Sequence, residues 1–187
     1  KKMVHTINNP FSHVVSLFSM EEQTYSGQGG VRERNFDGGW KYSGGRDGLN
    51  EWCRDATEPF HDEEAKMWEP RVFAASRGVP CHSLFYQFVH WHNNVIRATA
   101  DMGIPTLILH YENLSKDLSQ DTVRMLLEFL ELPHVVNVEP LPNRHENFMA
   151  FFSEEDISAI TEFIKLKSLP ETYEQLRRYM PASAEQT

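Results

Sequence analysis

The sequence predicts an α/β fold, rich in helix, in which a parallel sheet is flanked by helices. Three observations carry this. Residues 1–20 read as a strand that breaks at Asn8-Asn9-Pro10 and turns at once into a helix. Residues 103–133 repeat that order, with a buried strand, an acidic turn and a helix that stops at Pro133. Between them, residues 85–102 recur with helical period. Two parallel strands do not make a stable sheet alone, and parallel sheets are covered on both faces. The missing strands are therefore expected upstream of Lys1 or in a partner.

The first element is extended because Val4, Thr6 and Ile7 suit a strand. Asn9 is a good N-cap, and Pro10 fits the first helical position, where its missing N–H has no role. Ser16 then lies six residues beyond Pro10, about two turns into the helix. At such a strand-turn-helix junction, free N–H groups and the helix dipole converge on anions. Residues 24–50 hold most of the chain's 10 glycines, interleaved with Tyr25, Phe36, Trp40 and Tyr42. They read as a surface loop inserted in the domain. The alternative is a substrate-facing lid, with Trp or Tyr stacked on an acceptor.

Leu49 to Arg54 reads as a short helix carrying Trp52 and Cys53, and Val79-Pro80-Cys81-His82 follows. These are the chain's 2 cysteines. In the Golgi lumen or the secretory pathway Cys53 would join Cys81, whereas in the cytosol both would stay reduced. We take the bridge as the expectation. Phe85, Phe88, Val89, His92, Ile96 and Thr99 approximate one face of the next helix. His90 and His92 stand two apart, so a helix points them in different directions and they do not form a metal pair. His92 reads instead as a buried, hydrogen-bonded side chain. Asp117 or Ser119 could cap the helix that follows the second strand, and Ser153 with Asp156 forms a capping box for a helix ending near Leu166.

Composition narrows the function. The 187 residues are 40% hydrophobic and 12% aromatic, enough for a core. The net charge of −9 falls mostly after residue 60. Such a chain is a poor general binder of nucleic acid, where phosphate contacts dominate affinity. A focused anion pocket remains compatible, because local potential decides binding there. No run approaches the roughly 18 apolar residues of a membrane span.

The opening segment resembles the 3′-phosphate-binding segment of the sulfotransferases, which use 3′-phosphoadenosine 5′-phosphosulfate. There a strand ends in Arg-x-Pro, and a helix follows with a Ser six residues after the Pro. Pro10 and Ser16 match, and Asn8 stands where that Arg would be. The stretch from Val79-Pro80-Cys81 to Trp91-His92-Asn93 is similar to the V-P-C…W-H-N stretch of a subgroup found in algae and some animals. Tyr111-Glu112-Asn113-Leu114, followed by a helix closing Phe129-Leu130-Glu131-Leu132, resembles the family's strand, Tyr-Glu-Asp/Asn-Leu and Phe-Leu-x-Leu helix. Arg144 occupies the place of a basic loop before an aromatic-rich segment and a capped helix.

The resemblance implies one domain over residues 1–187, the C-terminal part of a P-loop-nucleotide-hydrolase-like fold, with the Gly-rich insertion at about 24–50. It implies nucleotide contacts from Asn8, Ser16, Tyr111 and Arg144, with Glu112 fixing the strand end. The phosphosulfate loop and the catalytic base would lie before Lys1, so the catalytic residues are unknown from this chain. No metal is implied. The activity implied is transfer of a sulfuryl group to a hydroxyl or amine, on a carbohydrate acceptor. The alternative is a non-catalytic relative that keeps the fold to bind a glycan or a protein.

Overall fold

The computed structural model describes residues 1–27, 41–57, 66–114, 119–133 and 148–181. Within them the chain is mixed α/β and helix-rich, with one two-stranded sheet. Strand β1 (Met3–Ile7) pairs in parallel with β2 (Thr106–His110), in a register that sets Met3 against Thr106 and Ile7 against His110. The helices are α1 (Pro10–Gly27), α2 (Gly45–Thr57), α3 (Pro70–Ser76), α4 (His82–Asp101), α5 (Ser119–Leu130), α6 (Glu154–Lys167) and α7 (Pro170–Leu176). No described helix is long and apolar enough to cross a membrane.

The chain divides into two compact units. The sheet unit comprises Lys1–Asn9 and Trp91–His145; the helical unit comprises Pro10–His90 and Glu146–Thr187. In the sheet unit, β1 turns His5 and Ile7 inward, the alternation of an extended chain. Leu109 is buried on β2, and α5 packs on that strand. Helix α4 ends in a Schellman motif. Gly103 takes φ 59° while Ile104 N–H donates to Thr99 O and Gly103 N–H to Ala100 O. Helix α5 ends in the same way with Glu131 at φ 58°, a conformation that suits glycine better than a side chain with a Cβ.

The helical unit has a denser interior. Phe11 meets Phe85 and Phe152 edge-on, with centroids 5.9 and 5.7 Å away. Phe163, Ile160, Ile164 and Leu176 are sealed from solvent. Helix α6 opens with the predicted box: Asp156 N–H donates to Ser153 Oγ at 3.1 Å, and Ser153 N–H to Asp156 Oδ2 at 2.8 Å. Two of the free N–H groups that begin any helix are thereby satisfied.

Helix α2 is longer than the short helix expected over Leu49–Arg54, because part of the Gly-rich segment is helical. Leu49, Trp52 and Cys53 recur at helical spacing and are buried. Trp52 also donates its Nε1–H to Glu21 Oε2 at 2.8 Å. Gly45 opens the helix at φ 79°, and a Cβ on Gly48 would run into the Ser43 carbonyl. These glycines therefore serve a tight entry into a helix. Residues 28–40, the middle of the segment and the place of Trp40, lie outside the described residues. Cys53 and Cys81 are joined, with Cα atoms 4.6 Å apart, which fastens α2 to the start of α4.

Candidate functional site

The carboxyl edge of the two strands is where a parallel sheet exposes its strand exits, and open α/β folds place ligands at such edges. Because Ile7 and His110 are partners in the register, the next residues on each strand are Asn8 and Tyr111. Tyr111 opens a short 3-10 helix, Tyr111–Leu114, and is 39% exposed. Asn8 is half-buried. The Glu112 carboxylate accepts the Asn9 N–H at 2.8 Å, so the exit of β1 is tied to the turn that leaves β2. On the far side of that turn Thr122 Oγ1 donates to Asn113 O at 2.9 Å, fixing the turn to α5.

The edge thus has a fixed backbone, an accessible aromatic ring and an amide. A phenol ring offers a flat face to a base or sugar and a hydroxyl that donates or accepts. The Asn8 amide offers both donors and an acceptor but no charge, unlike a guanidinium. The role expected of Glu112 is visible as a hydrogen bond. Among the described residues no group of three or more His, Cys, Asp or Glu could hold a metal ion.

Ser16 is exposed on α1 and belongs to the helical unit. Arg144 lies outside the described residues, as does Asp117, one of the two candidate caps of α5. His13 rests against Phe88 with centroids 5.2 Å apart, and burial lowers its pKa.

Sequence reasoning missed a buried histidine pair in the sheet unit. His92 is buried and hydrogen-bonded, as expected, and its partner is His5: Nδ1 of His92 lies 2.8 Å from Nε2 of His5. The rings meet edge-on at 4.9 Å. Burial lowers the pKa of His5, since a charged imidazole would lose its hydration there. One nitrogen must donate and the other accept, so two imidazolium rings would set N–H against N–H. The signal was available in the strand, because a chain that turns Ile7 inward also turns His5 inward.

Compared with models of protein families, with curated proteins and with solved structures, the chain matches none.

Proposed function

We propose that this chain is the nucleotide-binding part of a sulfotransferase-type domain with a P-loop-like fold. The observation that carries the reading is the fixed strand-exit edge, where Asn8 and Tyr111 follow paired residues and Glu112 holds the Asn9 N–H. On this reading Tyr111 borders the adenine of 3′-phosphoadenosine 5′-phosphosulfate. The Asn8 amide and the Ser16 hydroxyl hydrogen-bond the 3′-phosphate, and Arg144 supplies positive charge. The nucleotide would deliver a sulfuryl group to a hydroxyl or amine of a carbohydrate. Charge developing on the leaving oxygen needs preorganised donors, as in phosphoryl transfer.

Calorimetric titration with 3′-phosphoadenosine 5′-phosphate tests this. Wild-type protein is expected to bind, and Tyr111→Ala to weaken binding by roughly tenfold, the worth of about one stacked base. Ser16→Ala should weaken it severalfold, in line with loss of about one hydrogen bond to a charged group. Unchanged affinity in both variants overturns the assignment.

A second reading has its own observation. Asn8 stands where a guanidinium would hold phosphate, and an amide does not replace that charge. On that reading the protein is a non-catalytic relative that binds a glycan or a protein, and the nucleotide would leave its melting temperature unchanged.

A further inference from the structure

Two side chains at the strand-exit edge are unengaged among the described residues. The half-buried Asn8 amide makes no hydrogen bond, and the exposed Tyr111 ring meets no other ring. They leave neighbouring strand ends, since Ile7 and His110 are partners in the register. The backbone donor that follows Asn8 is already taken up, because the Asn9 N–H donates to the Glu112 carboxylate at 2.8 Å. A negative charge therefore stands within the edge, next in sequence to Tyr111 and bonded to the residue after Asn8.

The described cations of the sheet unit stand elsewhere. They are Lys1, Lys2, Arg97 and Arg124. Lys1 and Lys2 precede β1, at the opposite end of that strand, and Lys2 Nζ pairs with Glu131 at 2.8 Å. Arg97 lies about one turn before the end of α4, the end that leads into the start of β2. Arg124 pairs with Asp121 on its own helix at 3.3 Å. A phosphate set against Asn8 thus meets a neutral amide and a like charge, and like charges repel most where water is partly excluded. A hydroxyl meets no such opposition: the amide oxygen accepts its O–H, and the amide N–H donates to its lone pair.

From this balance we infer that Asn8 makes the edge nearly indifferent to a 3′-phosphate, so that adenine nucleotides with a free 3′-hydroxyl are ligands of the same site. The inference rests on the nucleotide reading proposed above and widens its ligand class. Tyr111 serves both kinds of nucleotide alike, because stacking on a base does not depend on the ribose substituent. The substituent itself is read by a neutral amide beside a carboxylate. A charge-assisted contact there needs a guanidinium, which forms two parallel N–H···O bonds with a phosphate.

The test is a pair of calorimetric titrations, with 3′-phosphoadenosine 5′-phosphate and with adenosine 5′-phosphate, at one ionic strength. Both are expected to bind, with affinities within about tenfold of one another, the most that a neutral hydrogen bond supplies. Asn8→Arg should tighten the 3′-phosphate nucleotide by about tenfold or more and widen the ratio accordingly. Glu112→Gln removes the charge while its amide oxygen still accepts the Asn9 N–H, and it should move the ratio in the same direction by severalfold. A wild-type preference for the 3′-phosphate beyond about hundredfold overturns the inference and leaves the nucleotide reading standing, with the charge supplied from outside Asn8. A ratio unchanged in both variants overturns it as well. Binding of neither nucleotide overturns the nucleotide reading and this inference with it. The wild-type ratio decides alone if Asn8→Arg does not fold.

Discussion

The two units keep their interiors dry by different means. In the helical unit the buried side chains are chiefly rings and branched aliphatics: Phe11, Phe18, Phe85, Phe163, Ile160, Ile164 and Leu176 among them. In the sheet unit the buried apolar side chains among the described residues are Ile7 and Leu109, and they share the interior with His5, His92, Thr99 and Thr122. The difference teaches where each unit is vulnerable. Rings and aliphatics lose stability when volume is removed, whereas a polar interior depends on every hydrogen bond and on the protonation of its imidazoles.

The largest expected effect tests the first half of that contrast. Phe163→Ala, at a side chain with 0% exposure, should cost about 3–5 kcal/mol in a urea or guanidinium titration. Leu109→Ala in the sheet unit should fall at the low end of the ~2–5 kcal/mol range for Leu, because fewer apolar neighbours outline the cavity. Equal losses in the two variants would break the contrast.

Second in size is the bridge. Replacing Cys53 and Cys81 together by Ser should cost about 3 kcal/mol in the chain-entropy account, for a sequence separation of 28 residues. Amide exchange should then quicken in α2, whose Trp52 and Leu49 pack beside the cysteine. Unchanged exchange there would mean that packing alone holds the helix.

Acid comes third and sharpens the other half. The unfolded chain takes up a proton on His5 near pH 6.5, the ordinary value, and the folded sheet unit resists it. Below that pH the unfolded state binds more protons, so stability is fully present above about 6.5 and falls as the pH drops through it. His13 in the helical unit is lowered by burial as well, so acid acts on both units. His5→Gln should therefore flatten, but not abolish, the fall of melting temperature between neutral and mildly acidic pH. An identical fall in the variant would remove the pair from the account.

Two smaller effects finish the series. Ser153→Ala removes one side of the capping box and should cost about 1 kcal/mol. Glu131→Gly should raise the melting temperature slightly, because glycine takes φ 58° freely. It also deletes the Lys2–Glu131 ion pair, at 2.8 Å and largely exposed, which contributes little. A lower melting temperature would show that the pair outweighs the backbone.

Much of the local structure was legible in the residues. Pro10 marks the start of α1, Ser153 and Asp156 the start of α6, and the apolar spacing of residues 85–102 the greater part of α4. The Gly-rich segment misled, since Gly45 and Gly48 look like loop residues until Ser43 is seen crossing close by. At the strand-exit edge, Asn8 and Tyr111 could each be singled out, but their alignment needed the register.

Sequence by itself determined what depends on neighbours in the chain: periodicity, caps, proline stops and the type of each element. Those preferences act over a few residues and are written in order along the backbone. Tertiary structure decided what depends on distant partners. It joined Cys53 to Cys81, set His5 against His92 and tied Asn9 to Glu112. Such contacts follow from which faces are buried together, because hydrogen bonds and charges gain their strength from the water that packing excludes.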